Sequence, residues 1–194
     1  MVTTLAPGRQ LILDQAATLF VERGFKGTSL RDIAAACEMK AGSLYYHFES
    51  KDHLLIEVLT RGIDVMVEAF DAAATTTANS DGSTRLKAHI RAHLAALYEN
   101  GPYTAVHVTS FRTASSQVRA AVIPERDRYE SKWTLLLTDM VDTGQIRGDM
   151  ALGLTRLTLF GAMNTSIEWF DLDRGNLDEL ADVLVDQYWN GLAA

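Results

Sequence analysis

The sequence contains little cysteine and no long apolar run. Cys37 is the only cysteine among 194 residues, so no disulfide can form within the chain and nothing indicates an oxidising compartment. No segment has the roughly 18 consecutive apolar residues of a membrane helix, and the N-terminal stretch lacks the basic and apolar regions of a secretion signal. We therefore expect a cytoplasmic protein without a membrane partner.

Strand-like alternation of apolar and polar residues is also absent, and no internal repeat occurs. Apolar residues recur instead at the three- and four-residue spacing of helices. The first such helix is predicted to end at Gly24. Ser29 and Asp32 have the spacing of a capping box before a second, short helix. Leu44 and Phe48 lie on one side of a third, and Ser50 is expected to cap a long fourth helix.

The rest of the chain continues the helical pattern. The stretch from Ala72 to Ser83 predicts a loop, and Pro124 predicts an interruption. Further helices are predicted near residues 84–100, 103–115, 117–143, 150–170 and 176–192. The sequence therefore predicts an all-α fold in which a three-helix N-terminal head of about 50 residues precedes a larger C-terminal helical bundle.

The formal net charge of −7 is unevenly distributed. Residues 1–61 contain seven basic and seven acidic residues, whereas residues 62–194 contain 11 basic and 18 acidic residues. An acidic surface repels a polyanion, while a neutral head can bind DNA if its cations face phosphates. The head is therefore the part of the chain expected to contact nucleic acid.

The segment GSLYYHFESK, residues 42–51, concentrates hydrogen-bonding and aromatic side chains on the third predicted helix. Two short helices joined by a brief turn form a helix-turn-helix, whose second helix enters the major groove. Hydroxyls and imidazole can donate to phosphates, and Gly42 permits close approach of the backbone to DNA. The alternative is that these aromatic residues are ordinary core, as aromatics at helical spacing often are.

The segment from Leu11 to Leu59 resembles the TetR family of bacterial transcriptional repressors. The resemblance rests on a glycine-aromatic hinge, a Thr-Ser-Leu-x-x-Ile-Ala helix and the Gly-Ser-Leu-Tyr-Tyr-His-Phe-x-x-Lys segment, which occur in the family's order. It implies phosphate contacts from Thr28, Tyr45, Tyr46, His47 and Lys51. It also implies that Lys40, Ala41 and Ser43 face bases.

Two positions depart from the family's pattern. Glu38 stands where the turn usually has glycine, and a left-handed residue other than glycine costs roughly 1 kcal/mol. Lys40 stands where a serine or threonine usually caps the recognition helix, and its side chain cannot accept that hydrogen bond. We expect an altered turn with an added cationic donor toward phosphate or guanine.

The last two predicted helices are candidates for a homodimer interface. A lone helix-turn-helix buries little surface on DNA, and two-fold symmetry matches a palindromic operator. The resemblance implies a four-helix interface, and the expected contacts are Leu157, Gly161, Ala162, Thr165, Leu180, Leu184 and Tyr188. The alternative is that these residues form a core within one subunit.

The middle helices are rich in residues that suit an apolar pocket for a small-molecule effector. The candidates are Met66, Phe70, His89, His93, His107, Phe111, Trp133, Leu137 and Met163, all of which can equally be packed core. Arg119, Arg126, Arg128 and Lys132 suit an anionic effector resembling acyl-CoA, a class that the C-terminal segment from Gly161 to Leu192 suggests by resemblance. Interleaved acidic residues favour a solvated charged face instead.

These observations predict a ligand-responsive transcriptional regulator, expected to be a repressor. Residues 1–50 would form its DNA-binding domain, and residues 51–194 its ligand-binding and dimerisation domain. No cofactor or bound metal is expected. The alternatives are a helical protein-binding adaptor and a small metal-dependent enzyme using His89, His93 and His107, since histidines four residues apart can share a metal. The sequence does not distinguish repressor from activator.

Overall fold

The structure is a computed structural model that describes residues 7–99 and 101–192, so Asn100 and the terminal residues of the two predicted domains lie outside it. Within these ranges the chain folds into nine α-helices. They are α1 (Pro7–Gly27), α2 (Leu30–Ala36), α3 (Ala41–His47), α4 (Lys51–Thr76), α5 (Gly82–Tyr98), α6 (Pro102–Ser110), α7 (Ser116–Asp142), α8 (Leu152–Thr165) and α9 (Leu177–Leu192). The prediction of an all-α fold is confirmed. None of these helices combines the length and apolar composition that a membrane crossing requires.

Local signals explain where the first helices begin and end. Gly24 has a φ of 72°, which interrupts α1 in the left-handed region that glycine tolerates. The Phe25 ring then packs against Phe20 with its centroid 5.3 Å away. Ser29 Oγ accepts from the Asp32 backbone N–H, while the Asp32 carboxylate accepts from the Ser29 backbone N–H. The predicted capping box at the start of α2 is therefore confirmed.

The chain forms two compact units. The first comprises residues 7–64 and 101–125, so it contains α1, α2, α3 and α6. Helix α6 packs on α1, where the Tyr103 hydroxyl donates to Asp14 Oδ1 at 2.6 Å. Gly62 lies close to the Tyr103 main chain, since a Cβ there would lie 2.6 Å from the Tyr103 carbonyl oxygen. The position therefore requires glycine.

The second unit comprises residues 65–99 and 126–192. Helix α9 packs on α5, and the buried core includes Leu86, Ile90, Leu94, Trp133 and Met163. Trp133 is fully buried and contacts the rings of Phe70, His89, His93 and Phe160 edge to face. The unit is therefore built around an aromatic and imidazole cluster rather than aliphatic side chains alone.

Two expectations about the helices were wrong. The predicted loop from Ala72 to Ser83 is too long, because α4 continues to Thr76 and α5 begins at Gly82. The Thr75 and Thr76 hydroxyls donate to carbonyls one turn earlier, at 2.8 and 3.0 Å, so both hydroxyls find acceptors within the helix. Pro124 likewise lies inside a continuous α7.

Candidate nucleic-acid interface and effector cavity

Helix α3 is anchored by its inner side. Leu44 and Phe48 are fully buried, and the Phe48 backbone N–H donates to the Leu44 carbonyl at 3.0 Å. The Arg9 guanidinium of α1 lies over the Phe48 ring, 4.7 Å from its centroid, and forms an ion pair with Glu57 of α4. The orientation of α3 is therefore set by its packing on α2 and by the burial of Leu44 and Phe48.

The outer side of α3 carries large exposed side chains. Tyr45 is 58% exposed and Tyr46 is 88% exposed. Lys40, Gly42 and Ser43 are also exposed, whereas Ala41 and His47 are half-buried, and the His47 ring packs edge-on against Tyr46 at 5.2 Å. We refer to these seven residues, 40–43 and 45–47, as the α3 surface. An ordinary core role for its tyrosines is excluded by their exposure.

The turn between α2 and α3 has the strained residue that the sequence predicts. Glu38 has a φ of 55°, in the left-handed region. The Met39 backbone N–H donates to the Ala34 carbonyl at 2.9 Å and so closes the end of α2. Lys40 is the N-cap of α3 and makes no side-chain cap hydrogen bond within the described chain. Its ammonium group is therefore not used to begin the helix.

Thr28 does not fit its predicted contact with phosphate. Its side chain is 1% exposed, and its hydroxyl donates to the Leu19 carbonyl at 3.1 Å and the Gly24 carbonyl at 2.9 Å. These two carbonyls belong to the last turns of α1, one before and one at the break at Gly24. Thr28 therefore closes α1, and its hydroxyl is unavailable to DNA.

Lys51 also has a role inside the fold. Its Nζ donates at 2.8 Å to the carbonyls of both Phe25 and Thr28, and it lies 4.2 Å from the Phe25 ring centroid. The first residue of α4 therefore ties down the segment between α1 and α2. This arrangement accounts for its position without a phosphate.

The second unit contains an apolar cavity of about 290 Å³. It is lined by Phe70, Ala74, Ala78, Arg85, His89, Lys132, Leu135, Leu136 and Asp139. Of the predicted pocket residues, the cavity includes Phe70 and His89. It also includes Lys132, which the sequence suggests only as a cation for an anionic effector. Arg85, Ala74 and Ala78 were missed, because neither a lone cation nor alanine signals a pocket in a sequence.

The other pocket candidates of this unit do not line the cavity. Met66, His93, Trp133, Leu137 and Met163 are buried in its core. Both His93 nitrogens are occupied, Nδ1 by the Tyr129 hydroxyl at 2.8 Å and Nε2 by Asn164 Oδ1 at 2.9 Å. Burial lowers the pKa of His93 to about 4, so this imidazole is neutral. For these five residues, packed core is the correct interpretation.

The remaining two pocket candidates belong to the first unit, where the His107 and Phe111 rings stack with centroids 5.4 Å apart. The three-histidine enzyme hypothesis gains no support. In residues 7–99 and 101–192, no three histidine, cysteine or acidic side chains are grouped so that they could hold a metal. Cys37 is buried, and burial raises the pKa of its thiol, which disfavours a nucleophile.

The cations considered for an anionic effector have partners. Arg119 donates to the Ala114 carbonyl at 2.7 Å, Arg126 pairs with Glu130 at 3.2 Å, and Lys132 pairs with Asp71 at 2.7 Å. This pairing favours the alternative of a solvated charged face.

The predicted dimer residues divide into two groups. On α8, Leu157 is 51% exposed, Gly161 and Thr165 are exposed, and Ala162 is half-buried. On α9, Tyr188 is half-buried, but Leu180 and Leu184 are each 6% exposed. These two leucines are already buried within one chain, so they were assigned to the wrong face of α9. The exposed apolar residues of this region that were missed are Trp169, Leu172 and Val183.

Family models match both parts of the chain. The model described as bacterial regulatory proteins, tetR family, matches residues 12–58. The model described as the tetracyclin repressor-like C-terminal domain matches residues 79–192. Among curated relatives, the HTH-type transcriptional repressor KstR2 of Mycobacterium tuberculosis is 28% identical over 160 residues, which cover 82% of this chain and 79% of KstR2.

Solved structures show the same architecture. The TetR family transcriptional regulator PfmR from Thermus thermophilus has a TM-score of 0.81 and 29% identity, covering 94% of this chain and 99% of PfmR. AibR, solved with isovaleryl coenzyme A and operator DNA, has a TM-score of 0.80 and covers 93% of this chain and 97% of its own. At 24% identity, the likeness to AibR shows the fold alone. With a helix-turn-helix in α2 and α3 and a helical C-terminal region, this chain belongs to the TetR family of bacterial transcriptional regulators.

Proposed function

We propose that the protein is a ligand-responsive repressor that binds a palindromic operator as a homodimer and is released by a small hydrophobic effector. The observation that carries this proposal is the α3 surface, where exposed tyrosines stand on a helix whose inner side is fully buried. A surface tyrosine exposed by 88% contributes little to folding, whereas it can reach a phosphate or a thymine methyl. Residues 1–50 would then supply DNA contacts.

The DNA contacts are proposed for the α3 surface alone. Lys40, Ala41 and Ser43 would face bases, Gly42 would let the backbone approach, and Tyr45, Tyr46 and His47 would contact phosphates. Thr28 and Lys51 would act indirectly, by holding the α1 end and the start of α2 in place. Because the chain of residues 62–194 is acidic, we expect no wrapping of DNA around the remainder of the protein.

We propose that the exposed apolar residues of α8 form the dimer interface, with Leu157 near its centre. Gly161 and Ala162 permit close helix approach, and Leu154 adds apolar area on the same helix. On α9, Val183 replaces the buried Leu180 and Leu184 as the exposed apolar contact. Two recognition helices related by a two-fold axis would read the two halves of a palindrome.

The effector is proposed to bind the apolar cavity of the second unit. A ligand can release DNA only through its different affinities for the DNA-bound and released conformations. At about 290 Å³ the cavity lies near the lower end of small-molecule sites, roughly 300–1,000 Å³. A compact hydrophobic effector suits this volume, whereas an acyl-CoA-like effector would place little more than its acyl group there.

The test is selection of bound duplexes from a random DNA pool by the full chain. We expect a palindromic sequence and an affinity that falls steeply as salt rises, because each neutralised phosphate releases counterions. Leu157→Arg is expected to give a monomer by light scattering and to lose the selected duplex. Ile123→Arg, an exposed apolar residue of α7, serves as the control and should remain dimeric. A folded wild-type dimer that enriches no sequence at low salt would refute the proposal.

A further inference from the structure

One residue that lines the cavity of the second unit has a buried ring nitrogen without a hydrogen-bond partner. His89 is 1% exposed and lines the cavity. Its Nδ1 lies 2.7 Å from the Arg85 carbonyl oxygen, one turn earlier on α5. Its Nε2 has no hydrogen-bond partner among the described residues. An unused polar atom in an apolar site carries a free-energy cost, which a ligand that supplies the missing hydrogen bond can relieve.

The chemistry of His89 Nε2 follows from its other nitrogen. A carbonyl oxygen can only accept, so His89 Nδ1 must be the nitrogen that carries the proton. Burial lowers the pKa of His89, which keeps the imidazole neutral with one N–H. His89 Nε2 therefore presents a lone pair, and the group that suits it is a hydrogen-bond donor.

The charged residues of the cavity are balanced. Arg85 pairs with Asp139 at 2.7 Å, and Lys132 pairs with Asp71 at 2.7 Å, so both cations have carboxylate partners. A carboxylate or phosphate ligand would have to compete with these acidic side chains for the two cations. The site therefore favours an uncharged molecule.

The remaining wall sets the size and shape of the ligand. The Phe70 ring lies 4.3 Å from the His89 ring, centroid to centroid, and Leu135 and Leu136 add aliphatic surface from α7. The volume of about 290 Å³ exceeds the roughly 150 Å³ that accommodates benzene. It therefore suits a substituted single ring or a fused pair of rings.

We infer that the effector is an uncharged, compact apolar molecule with a hydroxyl group, such as an alkylphenol or a polycyclic alcohol, whose hydroxyl donates to His89 Nε2. The inference rests on the proposed function in calling this molecule the effector. The binding preference itself is a property of the cavity and can be measured without DNA. Phe70, Leu135 and Leu136 would hold the hydrocarbon part.

The test uses two isomers with the same number of non-hydrogen atoms, 4-propylphenol and 4-ethylanisole, together with the anion 4-ethylbenzoate. Calorimetric titration of the full chain is expected to show 4-propylphenol binding at least tenfold more tightly than either of the others. In His89→Leu, the affinity for 4-propylphenol should fall to within twofold of the affinity for 4-ethylanisole. His89→Gln, which keeps an acceptor, should retain part of the preference. His53→Gln, in the first unit, is the control and should leave it unchanged.

Four results would overturn the inference. The first two are equal affinity of the wild type for the two isomers and a higher affinity for 4-ethylbenzoate than for 4-propylphenol. The third is a folded His89→Leu protein that prefers 4-propylphenol as strongly as the wild type does. The fourth is that no probe binds up to its solubility limit. If duplexes are selected but 4-propylphenol does not bind, the repressor proposal stands and this inference falls. If 4-propylphenol binds with the expected preference but no duplex is enriched, the cavity's specificity stands and the repressor proposal falls.

Discussion

Tyr46 is a large, mostly exposed side chain that gains little from burial in the fold. Because it is 88% exposed, Tyr46→Ala should change the free energy of unfolding by no more than about 0.5 kcal/mol. The same change should weaken binding to the selected duplex by about tenfold or more, which is about 1.4 kcal/mol. Urea unfolding and fluorescence anisotropy measure the two quantities.

Tyr46→Phe separates the hydroxyl of this residue from its ring. If the hydroxyl donates to a phosphate, the phenylalanine variant should bind as weakly as Tyr46→Ala; if the ring contacts a base, it should bind like the wild type. A Tyr46→Ala protein that binds the duplex with wild-type affinity would remove Tyr46 from the interface.

Two glycines offer a matched comparison. A Cβ at Gly62 would meet the Tyr103 main chain at 2.6 Å, so Gly62→Ala is expected to destabilise the fold by about 1–3 kcal/mol. No described atom lies within 4 Å of a Cβ at Gly42, where alanine should raise helix stability by up to about 1 kcal/mol. If the Gly42 backbone approaches DNA, Gly42→Ala should nevertheless bind the duplex less tightly. Unchanged affinity would place DNA farther from α3.

At the residue scale, the sequence could predict positions governed by local chemistry. The Ser29–Asp32 capping box was recognisable from spacing and residue type, whereas the positive φ of Glu38 and the missing cap at Lys40 followed from the family resemblance. Thr28 and Lys51 were not, because their partners are main-chain carbonyls brought near by the fold. A hydroxyl or an ammonium group in a DNA-binding motif does not reveal which acceptor it reaches.

At the scale of elements, Lys51 and Lys40 should behave differently. Lys51→Met keeps the aliphatic stem but removes two hydrogen bonds to the α1–α2 segment, so it should cost about 1–3 kcal/mol of unfolding free energy. Lys40→Met should leave stability nearly unchanged. If Lys40 of each subunit contacts a phosphate, this variant should also reduce the slope of log affinity against log salt by about two for the dimer.

These two variants are compared by urea unfolding and by binding at several salt concentrations. If Lys51→Met left the free energy of unfolding unchanged but reduced the slope of log affinity against log salt, Lys51 would be a DNA contact after all. A destabilised Lys40→Met would instead mean that Lys40 supports the turn.

The positions of the helices could be predicted from the sequence. Where each helix ends, and which apolar face is buried within the subunit, were harder to predict. Alanine and threonine at 72–76 indicated a loop by composition, yet α4 continues to Thr76, and the Thr75 and Thr76 hydroxyls bond back to the preceding turn. Leu180 and Leu184 follow the apolar stripe of α9 correctly, but periodicity does not tell whether a stripe faces its own subunit or a partner. Exposure in the folded chain distinguishes the two cases.

At the scale of the whole molecule, His93 should make stability depend on pH. Its folded pKa is about 4, below the ordinary value of 6.5. Between these values the unfolded chain binds a proton that the folded chain does not, so the free energy of unfolding falls as the pH drops through this window. For this group alone the loss from pH 7 to pH 5 is about 2 kcal/mol. The lowered pKa of His89 acts in the same direction.

His93→Gln provides the comparison. It should be less stable than the wild type at pH 7, because glutamine cannot reproduce both hydrogen bonds, to Tyr129 and Asn164. It should, however, lose about 2 kcal/mol less between pH 7 and pH 5 in urea unfolding. Identical losses in the two proteins would show that His93 does not titrate in this range.

The central claim is that two copies of the chain each place one α3 surface in one half of an operator. The most direct measurement compares the affinity of the full chain for the selected duplex with its affinity for a duplex in which one half-site is scrambled, at the same salt concentration. Scrambling one half-site is expected to weaken binding by about a hundredfold or more, toward non-specific affinity. Equal affinity for the two duplexes would contradict the claim that two α3 surfaces each bind one half-site.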